Sequence, residues 1–371
     1  MRAFVSHDSA CESLRFLSAK GALPAEGWPH APQRLPADDC LSTQRAYARL
    51  RDEADLGAWG IRNEPAHFLV PSQQMRSAGR RACFHVWSSE LPSGAFRVLG
   101  EGLLVSAPEF VIMQLCGATA RLEGLLDAHV AAVRAETEVL RELGVDEPVA
   151  VDHPLVREHE RRIVDAAVLA CEFAGTYRLC ASGSAPCYHV LPIMSAKSLA
   201  AMADAVGSST AASRAQTVAE FAFDGAASPM ETALALLLGL PVDYGGFGLP
   251  RPRLNVGIDV SSCRGRLSDV GLVTPDFLWE EQRVALEYDS TEFHVAGAGD
   301  RGRDAVRANT LTAVGYRVFR ATPRVVGSLY GLGLLARQLA AALGVSLEEP
   351  NEVQSLRRQR LYAQLMPHRG A

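Results

Sequence analysis

Three acidic side chains in the last third of the chain could bind a divalent cation. Asp276 lies in the apolar run Val273–Trp279, and Glu287 and Asp289 close a second apolar run, Val284–Tyr288. Alternate side chains of a strand point to the same face, so Glu287 and Asp289 share a face, and a hairpin would bring Asp276 beside them. Converging carboxylates repel one another unless a cation lies between them, and oxygen ligands suit Mg²⁺ or Mn²⁺. Solvated acids on a polar edge of the hairpin are the alternative.

Glu231 is a fourth candidate acid. Ser228, Pro229 and Glu231 have the spacing of an N-cap, a first-turn proline and the acid of a capping box. They therefore predict the start of an apolar helix over residues 230–240. The Glu231 carboxylate can cap its own helix, reach the hairpin acids, or do both.

The patterns around these acids predict a compact α/β unit. The two apolar runs flank the polar turn Glu280–Arg283, which is typical of a β-hairpin. A strand over Leu254–Val260 precedes the hairpin, and a helix over 300–314 and a strand over Tyr316–Ala321 follow it. Together with the helix over 230–240, the predicted order is helix–strand–strand–strand–helix–strand, with the acids at one edge.

The rest of the chain gives no catalytic pattern. Residues 1–205 predict a mixed α/β domain of unknown role, without a phosphate loop, a metal-spaced histidine cluster or a nucleophile elbow. Its strand-like runs are Ala66–Val70, Cys83–Trp87 and Phe96–Val105; Cys180–Pro192 is loop-like. Residues 206–211 suggest a linker, 213–345 a second domain that ends in a helix over Val325–Leu343, and 346–371 a polar basic tail.

Composition limits the class of protein. The 371 residues suffice for about two domains, and 48% of them are hydrophobic, without a run long enough for a membrane helix or the apolar core of a signal peptide. We therefore expect a cytoplasmic protein with no membrane partner. The eight cysteines form no CxxC pair, which favours small buried hydrophobic roles over disulfides or zinc.

Charge is unevenly distributed. The net charge of −5 argues against a general polyanion binder, yet the chain from Val295 onward holds 11 arginines and 5 acidic residues. This basic part could contact phosphate, or its arginines could lie on solvated helix faces. Only two of the basic residues are lysines, Lys20 and Lys197, so residues 198–371 contain none.

Five short motifs in this order resemble the PD-(D/E)xK nuclease superfamily, and within it the uncharacterised domain family related to very-short-patch-repair endonucleases. The resemblance covers about residues 213–343, and the matching stretches are Ser228–Glu231, Pro275-Asp276, Glu287–His294, Asp300–Asp304 and Gly315–Arg320. It implies a restriction-endonuclease-like αβββαβ domain that hydrolyses DNA.

The resemblance also implies roles for residues. Mg²⁺ or Mn²⁺ would be held by Asp276 and Asp289 together with Glu287 or Glu231, and all four acids would belong to the catalytic site. His294 would act as general base or orient the attacking water, or would serve only as a structural hydrogen-bonding group. DNA-backbone contacts would come from Arg301, Arg303 and Arg307.

Two positions depart from the common motif. Asp289 stands where a lysine is usual, although the very-short-patch mismatch-repair endonucleases also have an aspartate at this position. Ser290 replaces a common glycine. Serine is strained there if the position requires a positive φ.

The first domain weakly resembles proteins related to AbiEi-type abortive-infection antitoxins. His85–Trp87 and Gly102–Glu109 carry that resemblance, which implies that a protein partner would bind through this domain.

Three functions remain open from the sequence. The first is a metal-dependent endonuclease acting on DNA. The second is a catalytically inactive nuclease fold that serves as an antitoxin-like or regulatory module binding nucleic acid or protein. The third is a structural interaction protein with solvated acids.

Overall fold

The structure, a computed structural model, describes residues 1–24, 27–28, 31–117, 129–133, 158–180, 185–261, 271–289 and 298–366. For residues 158–159 and 298–305 it describes the backbone only. Contacts divide the chain into two compact units: Met1–Ala128 with Arg162–Ala222, and His129–Arg161 with Phe223–Ala371. None of the described helices has both the length and the apolar character needed to cross a lipid bilayer.

The first unit contains eight strands and six helices among the described residues. The strands are β1 (Ala3–Val5), β2 (Ala66–Val70), β3 (Ser77–Ala78), β4 (Ala82–Val86), β5 (Phe96–Gly100), β6 (Leu103–Ser106), β7 (Tyr177–Arg178) and β8 (Cys187–Tyr188). The helices are α1 (His7–Ala19), α2 (Gln44–Glu53), α3 (Pro108–Gly117), α4 (Glu158–Ala174), α5 (Ala196–Val206) and α6 (Thr210–Phe221).

A six-stranded mixed sheet organises this unit, in the order β3-β4-β2-β1-β6-β5. Strand β1 lies inside the sheet, antiparallel to β2 and parallel to β6. Its three residues Ala3, Phe4 and Val5 are buried, because β1 is covered on both faces.

A buried ion pair lies at the end of α4. Both oxygens of Glu172 accept from Arg15, at 2.7–3.2 Å, and Glu172 Oε1 also accepts from the Leu179 N–H. Arg178 is fully buried and donates to backbone carbonyls that include those of Gly175 and Leu191. The Leu179 bond to Glu172 and the Leu191 bond to Arg178 therefore hold the base of the β7–β8 hairpin.

Six strands and five α-helices of the second unit have both ends among the described residues, which also include a helical stretch at 129–133. The strands are β9 (Arg253–Leu254), β10 (Ile258–Asp259), β11 (Leu272–Val273), β12 (Phe277–Trp279), β13 (Val284–Tyr288) and β14 (Arg317–Ala321). The helices are α7 (Pro229–Gly239), α8 (Ala298–Ala313), α9 (Pro323–Val326), α10 (Leu329–Leu343) and α11 (Glu352–Leu365).

A four-stranded sheet in the order β14-β13-β12-β9 forms the frame of the second unit. Strands β9, β12 and β13 pair antiparallel, whereas β14 returns parallel to β13 through α8. A small core of Val260, Val273, Ala285 and Leu311 joins β11, β13 and α8. The predicted acids Asp276, Glu287 and Asp289 lie where β12 begins and β13 ends, whereas Glu231 lies in α7.

The expected mixed α/β class is confirmed. The hairpin of β12 and β13 forms around the expected polar turn, in which Arg283 has a positive φ of 52°. Helix α7 begins with Ser228 as N-cap and Pro229 in its first turn.

Several elements differ from the sequence expectations. Four predicted elements, over Phe96–Val105, Leu254–Val260, Val273–Trp279 and Val325–Leu343, are each divided in two. A turn with Gly102 at φ 71° separates β5 from β6, because the chain reverses there. The stretch Cys180–Pro192 contains β8. Within 346–371, which we expected to be a polar basic tail, α11 buries Leu361, Tyr362 and Leu365.

Candidate functional site

Asp276 lies in the kink between β11 and β12. Its backbone carbonyl accepts from the N–H of Asn255 at 3.0 Å, and its Oδ2 accepts from the N–H of Tyr288 at 2.7 Å. The residue is half-buried, while its neighbours Pro275 and Phe277 are buried. One hydrogen bond to the main chain of Asp276 and one to its carboxylate therefore hold this residue in place.

The charge environment of Asp276 is unfavourable for an isolated carboxylate. Burial, followed by the negative charge of Glu231, raises the pKa of Asp276 to about 7, and Glu287 adds to the effect. The Tyr288 N–H and the guanidinium of Arg307 act in the opposite direction. Three of the four predicted acids are thus close enough to influence one another, and near neutral pH Asp276 changes between its neutral and charged forms.

Glu231 lies in the first turn of α7 and is 7% exposed. Its backbone N–H donates to Ser228 Oγ at 3.1 Å, which is the expected N-cap bond. Its carboxylate Oε2 accepts from the N–H of Ala227, one residue before the cap, and from Asn255 Nδ2, at 2.8 and 2.6 Å. Burial raises the pKa of Glu231, and these hydrogen bonds oppose the rise. Of the predicted capping box, the described structure shows the Ser228 half, whereas the Glu231 carboxylate bonds to the N–H of Ala227 instead. Through Asn255 the same carboxylate is linked to the segment that carries Asp276.

Asn255 joins the two halves of this site, and sequence reasoning missed it. Its side-chain nitrogen donates to Glu231 Oε2 and, at 3.0 Å, to the carbonyl of Gly225, while its backbone N–H donates to Asp276. Asn255 has a φ of 51°, a left-handed conformation that asparagine tolerates better than most residues. The available signal was the Asn-Val-Gly sequence within an otherwise apolar strand.

Glu287 lies near the end of β13 and pairs with Arg307 of α8. Arg307 donates to Glu287 Oε1 at 3.3 Å and to the carbonyl of Thr274 at 2.8 Å. The Glu287 side chain is 12% exposed and that of Arg307 is 42% exposed. Arg307 was predicted to contact DNA, and here its guanidinium donates a hydrogen bond to one of the acids, Glu287.

Asp289 follows β13 and lies at its junction with β14. Its backbone N–H donates to the carbonyl of Ala321 at 2.9 Å, and its carboxylate lies 3.6 Å from Arg320. Arg320 was part of the sequence motif, but its pairing with Asp289 became visible only from the parallel register of the strands.

The side chains of His294, Arg301 and Arg303, three predicted site residues, are not described. His294 lies outside the described residues, and so does Ser290. Arg301 and Arg303 belong to α8, for which the backbone is described at those positions and the side chains are not. The general-base role and two of the DNA contacts therefore remain predictions.

The acids fit a magnesium-like ion by their chemistry. Among the described residues, no group of three His, Cys, Asp or Glu side chains is arranged to hold a metal ion. Mg²⁺ does not require such a group, because it commonly binds one or two carboxylates and keeps several waters or substrate phosphate oxygens. Asp276 and Glu287 supply two carboxylates of this kind, and their mutual repulsion with Glu231 would be relieved by a cation.

No protein-family model, curated protein or solved structure matches this chain.

Proposed function

We propose that the second unit is a metal-dependent endonuclease that hydrolyses DNA phosphodiester bonds. One observation carries the proposal: the Asp276 carboxyl group accepts a hydrogen bond from the Tyr288 N–H and lies near Glu231 and Glu287, whose charges help to raise its pKa to about 7. An acid cluster of this kind is costly for stability, and strongly perturbed titratable groups concentrate at functional sites.

The arrangement of elements supports the same proposal. Helix α7, the antiparallel strands β9, β12 and β13, helix α8 and the parallel strand β14 occur in the order expected for an αβββαβ nuclease core, with the separate β10–β11 pair inserted between β9 and β12. The two acids proposed as ligands come from the start of β12 and the end of β13, which are neighbouring strands. The resemblance of the sequence motifs assigns acids to these same two strands.

Five residues of the site have a role in this proposal. Asp276 and Glu287 would hold Mg²⁺ or Mn²⁺, and such an ion, when bound, lowers the pKa of a water and offsets charge on a phosphate. Glu231 and Asn255 keep the Asp276 segment in place through the 2.6 Å hydrogen bond between them and the Asn255 bond to Asp276. Arg307 neutralises part of the cluster while the ion is absent.

Cleavage of DNA tests the proposal. Supercoiled plasmid and single-stranded circular DNA would be incubated with Mg²⁺ or Mn²⁺ and either wild-type protein, Asp276→Asn or Glu287→Gln. We expect nicking by wild type and a loss of at least about 100-fold in both variants, since each removes a charge that acts on the transition state. Glu281→Gln, an exposed acid of the same hairpin turn, is the matched control and should cleave like wild type.

A catalytically inactive, regulatory version of this domain is the second candidate. Two ion pairs favour it: Arg307 lies 3.3 Å from Glu287, and Arg320 lies 3.6 Å from Asp289, so arginines already neutralise two of the acids. The absence of lysine from residues 198–371 has the same implication. DNA binding that is independent of divalent cations, with no cleavage of either DNA form, would favour this candidate over the enzyme.

A further inference from the structure

Two cysteines of the first unit lie in contact in the β7–β8 hairpin. The Sγ atoms of Cys180 and Cys187 are 3.3 Å apart. Cys187 pairs with Arg178 in the antiparallel register, and Cys180 follows Arg178 by two residues. The two sulfurs thus come from the two arms of one short hairpin, although seven positions separate them in the sequence.

The hairpin holds these sulfurs on an anchored base. Arg178 is fully buried and bonded to the Leu191 carbonyl at 2.8 Å, and the Leu179 N–H donates to the buried Glu172 at 3.0 Å. Both arms beside the cysteines are therefore tied to the interior of the first unit. Such positioning raises the effective concentration of one thiol at the other.

This pair is also accessible to dissolved reagents. Cys180 and Cys187 are partly exposed, whereas Cys11, Cys40, Cys116 and Cys171 are buried. The segment after Cys187 is open to solvent, since Leu191 is 82% exposed. Burial and the contact with Cys187 raise the pKa of Cys180 to about 11, so Cys180 keeps its proton at neutral pH and Cys187 makes the first attack.

We propose that Cys180 and Cys187 form a redox-active thiol pair whose substrate is a low-molecular-weight disulfide, such as oxidised glutathione. The thiolate of Cys187 attacks one sulfur of that disulfide, which releases one glutathione thiolate and leaves a mixed disulfide on Cys187. Cys180 then loses its proton and attacks Cys187 Sγ, which releases the second glutathione. The two protons of the cysteines end on two glutathione molecules, and the cysteine pair is oxidised by two electrons.

Mass analysis of the intact chain under defined glutathione mixtures tests this proposal. After thiol blocking, trypsin releases the peptide Leu179–Lys197, which contains both of these cysteines and no other. We expect an internal disulfide in this peptide, formed at a concentration of oxidised glutathione at least about tenfold lower in the native chain than in urea, because the fold holds the sulfurs together. Equal curves in the native chain and in urea, or a peptide that stays reduced, would overturn the proposal.

Single variants test the order of attack. Cys180→Ser should accumulate glutathione on Cys187, because the second thiol is missing, whereas Cys187→Ser should leave Cys180 largely unmodified. Cys83→Ser removes another partly exposed cysteine and should leave the oxidation of Leu179–Lys197 unchanged. Glutathione that accumulates on Cys180 in the Cys187→Ser variant would contradict the assigned order of attack. A glutathione mixed disulfide that accumulates in wild type as much as in Cys180→Ser would show that Cys180 does not attack Cys187, and would contradict the pairing.

Discussion

The backbone N–H of Tyr288 donates a 2.7 Å hydrogen bond to Oδ2 of Asp276. Strands β12 and β13 pair through their main chains as far as Phe277 and Leu286, and beyond that point the Asp276 side chain supplies the acceptor. On the other neighbouring strand, Asn255 donates to the Asp276 carbonyl. The acid is therefore built into the end of the sheet, which fixes its position independently of any bound ion.

Asp276→Asn should stabilise the second unit at neutral pH in the absence of divalent cations. The pKa of Asp276 rises from 3.8 to about 7 in the folded chain, so its favourable contribution is present below pH 3.8 and is lost as the pH rises toward 7. The amide oxygen of asparagine can still accept from Tyr288. We expect the melting temperature of the variant, relative to wild type, to increase between pH 4 and 7 and to be constant above pH 7. The corresponding gain in the free energy of unfolding is roughly 2–4 kcal/mol.

Thermal unfolding at a series of pH values measures this effect. Glu281→Gln, in the exposed turn, should follow wild type at every pH. If Asp276→Asn and wild type differ by a constant amount across pH 4 to 8, the charge repulsion assigned to Asp276 is absent.

Arg307→Gln should tighten the binding of divalent cations. Arg307 lies 3.3 Å from Glu287 and lowers the pKa of Asp276, so its positive charge competes with a metal ion at the same acids. Because the Arg307 side chain is 42% exposed, solvent screens this competition, and we expect an increase in Mn²⁺ affinity of only about two- to fivefold. Calorimetry would measure it, with the exposed Arg324→Gln as control. Weaker Mn²⁺ binding by Arg307→Gln alone would instead show that Arg307 helps to form the site.

Glu172→Gln should strongly destabilise the first unit. Glu172 is fully buried and accepts from Arg15 through both oxygens and from the Leu179 N–H. Removal of one partner leaves a buried charge unpaired, which costs about 3–5 kcal/mol. Chemical denaturation would compare it with Arg51→Gln, which removes the exposed Arg51–Glu64 pair at 3.0 Å and should cost less than about 1 kcal/mol. If the two variants lost similar amounts of unfolding free energy, the buried Arg15–Glu172 pair would be no more important for stability than the exposed pair.

Three histidines of the first unit predict a loss of stability in acid. The rings of His7 and His85 stack at 3.9 Å, and His67 Nδ1 lies 2.9 Å from His85 Nε2. Burial, then the neighbouring His67 and Arg76, lowers the pKa of His85 to about 4. Burial also lowers the pKa values of His7 and His67. These groups therefore stabilise the fold above pH 6.5, and that contribution is lost as the pH falls toward 4.

His85→Gln should reduce this acid sensitivity. The side-chain amide of the introduced glutamine can replace Nε2 of His85 as the hydrogen-bond partner of His67, but the amide does not titrate. Between pH 7.5 and 4.5 we expect wild type to lose roughly 1–3 kcal/mol more stability than the variant. The comparison with the variant is needed because Asp8, whose pKa burial raises to about 6, acts in the opposite direction. His189→Asn, at an exposed residue with positive φ, is the control, and parallel pH profiles for His85→Gln and wild type would refute the assignment.

The β12–β13 hairpin could be predicted from the sequence because its signals are local. Two apolar runs and a four-residue polar turn determine it, and the alternation of side chains along β13 places Glu287 and Asp289. Helix α7 could also be predicted, because Ser228 is its N-cap and Pro229 its first residue. In these elements the residues that set the structure are neighbours in the chain.

Long-range features could not be predicted in this way. Strand β1 has only three residues and exists because β2 and β6 flank it. The Asn255 contacts to Glu231 and Asp276 depend on a kink in which Asn255 adopts a left-handed conformation. The contact of Cys180 with Cys187 depends on the hairpin register, so two cysteines that looked unpaired in the sequence lie together.

Calorimetric titration with Mn²⁺ tests the central claim most directly. Wild type, Asp276→Asn, Glu287→Gln and the control Glu281→Gln would be titrated alone and with a phosphorothioate DNA duplex that resists cleavage. We predict that one Mn²⁺ binds per wild-type or control chain. In both site variants the Mn²⁺ affinity should fall by about tenfold or more, because loss of a residue that only hydrogen-bonds to a metal ligand already lowers metal affinity by about 10–100-fold. Mn²⁺ binding that is absent from wild type under both conditions, or unchanged in the site variants, would contradict a metal site formed by Asp276 and Glu287.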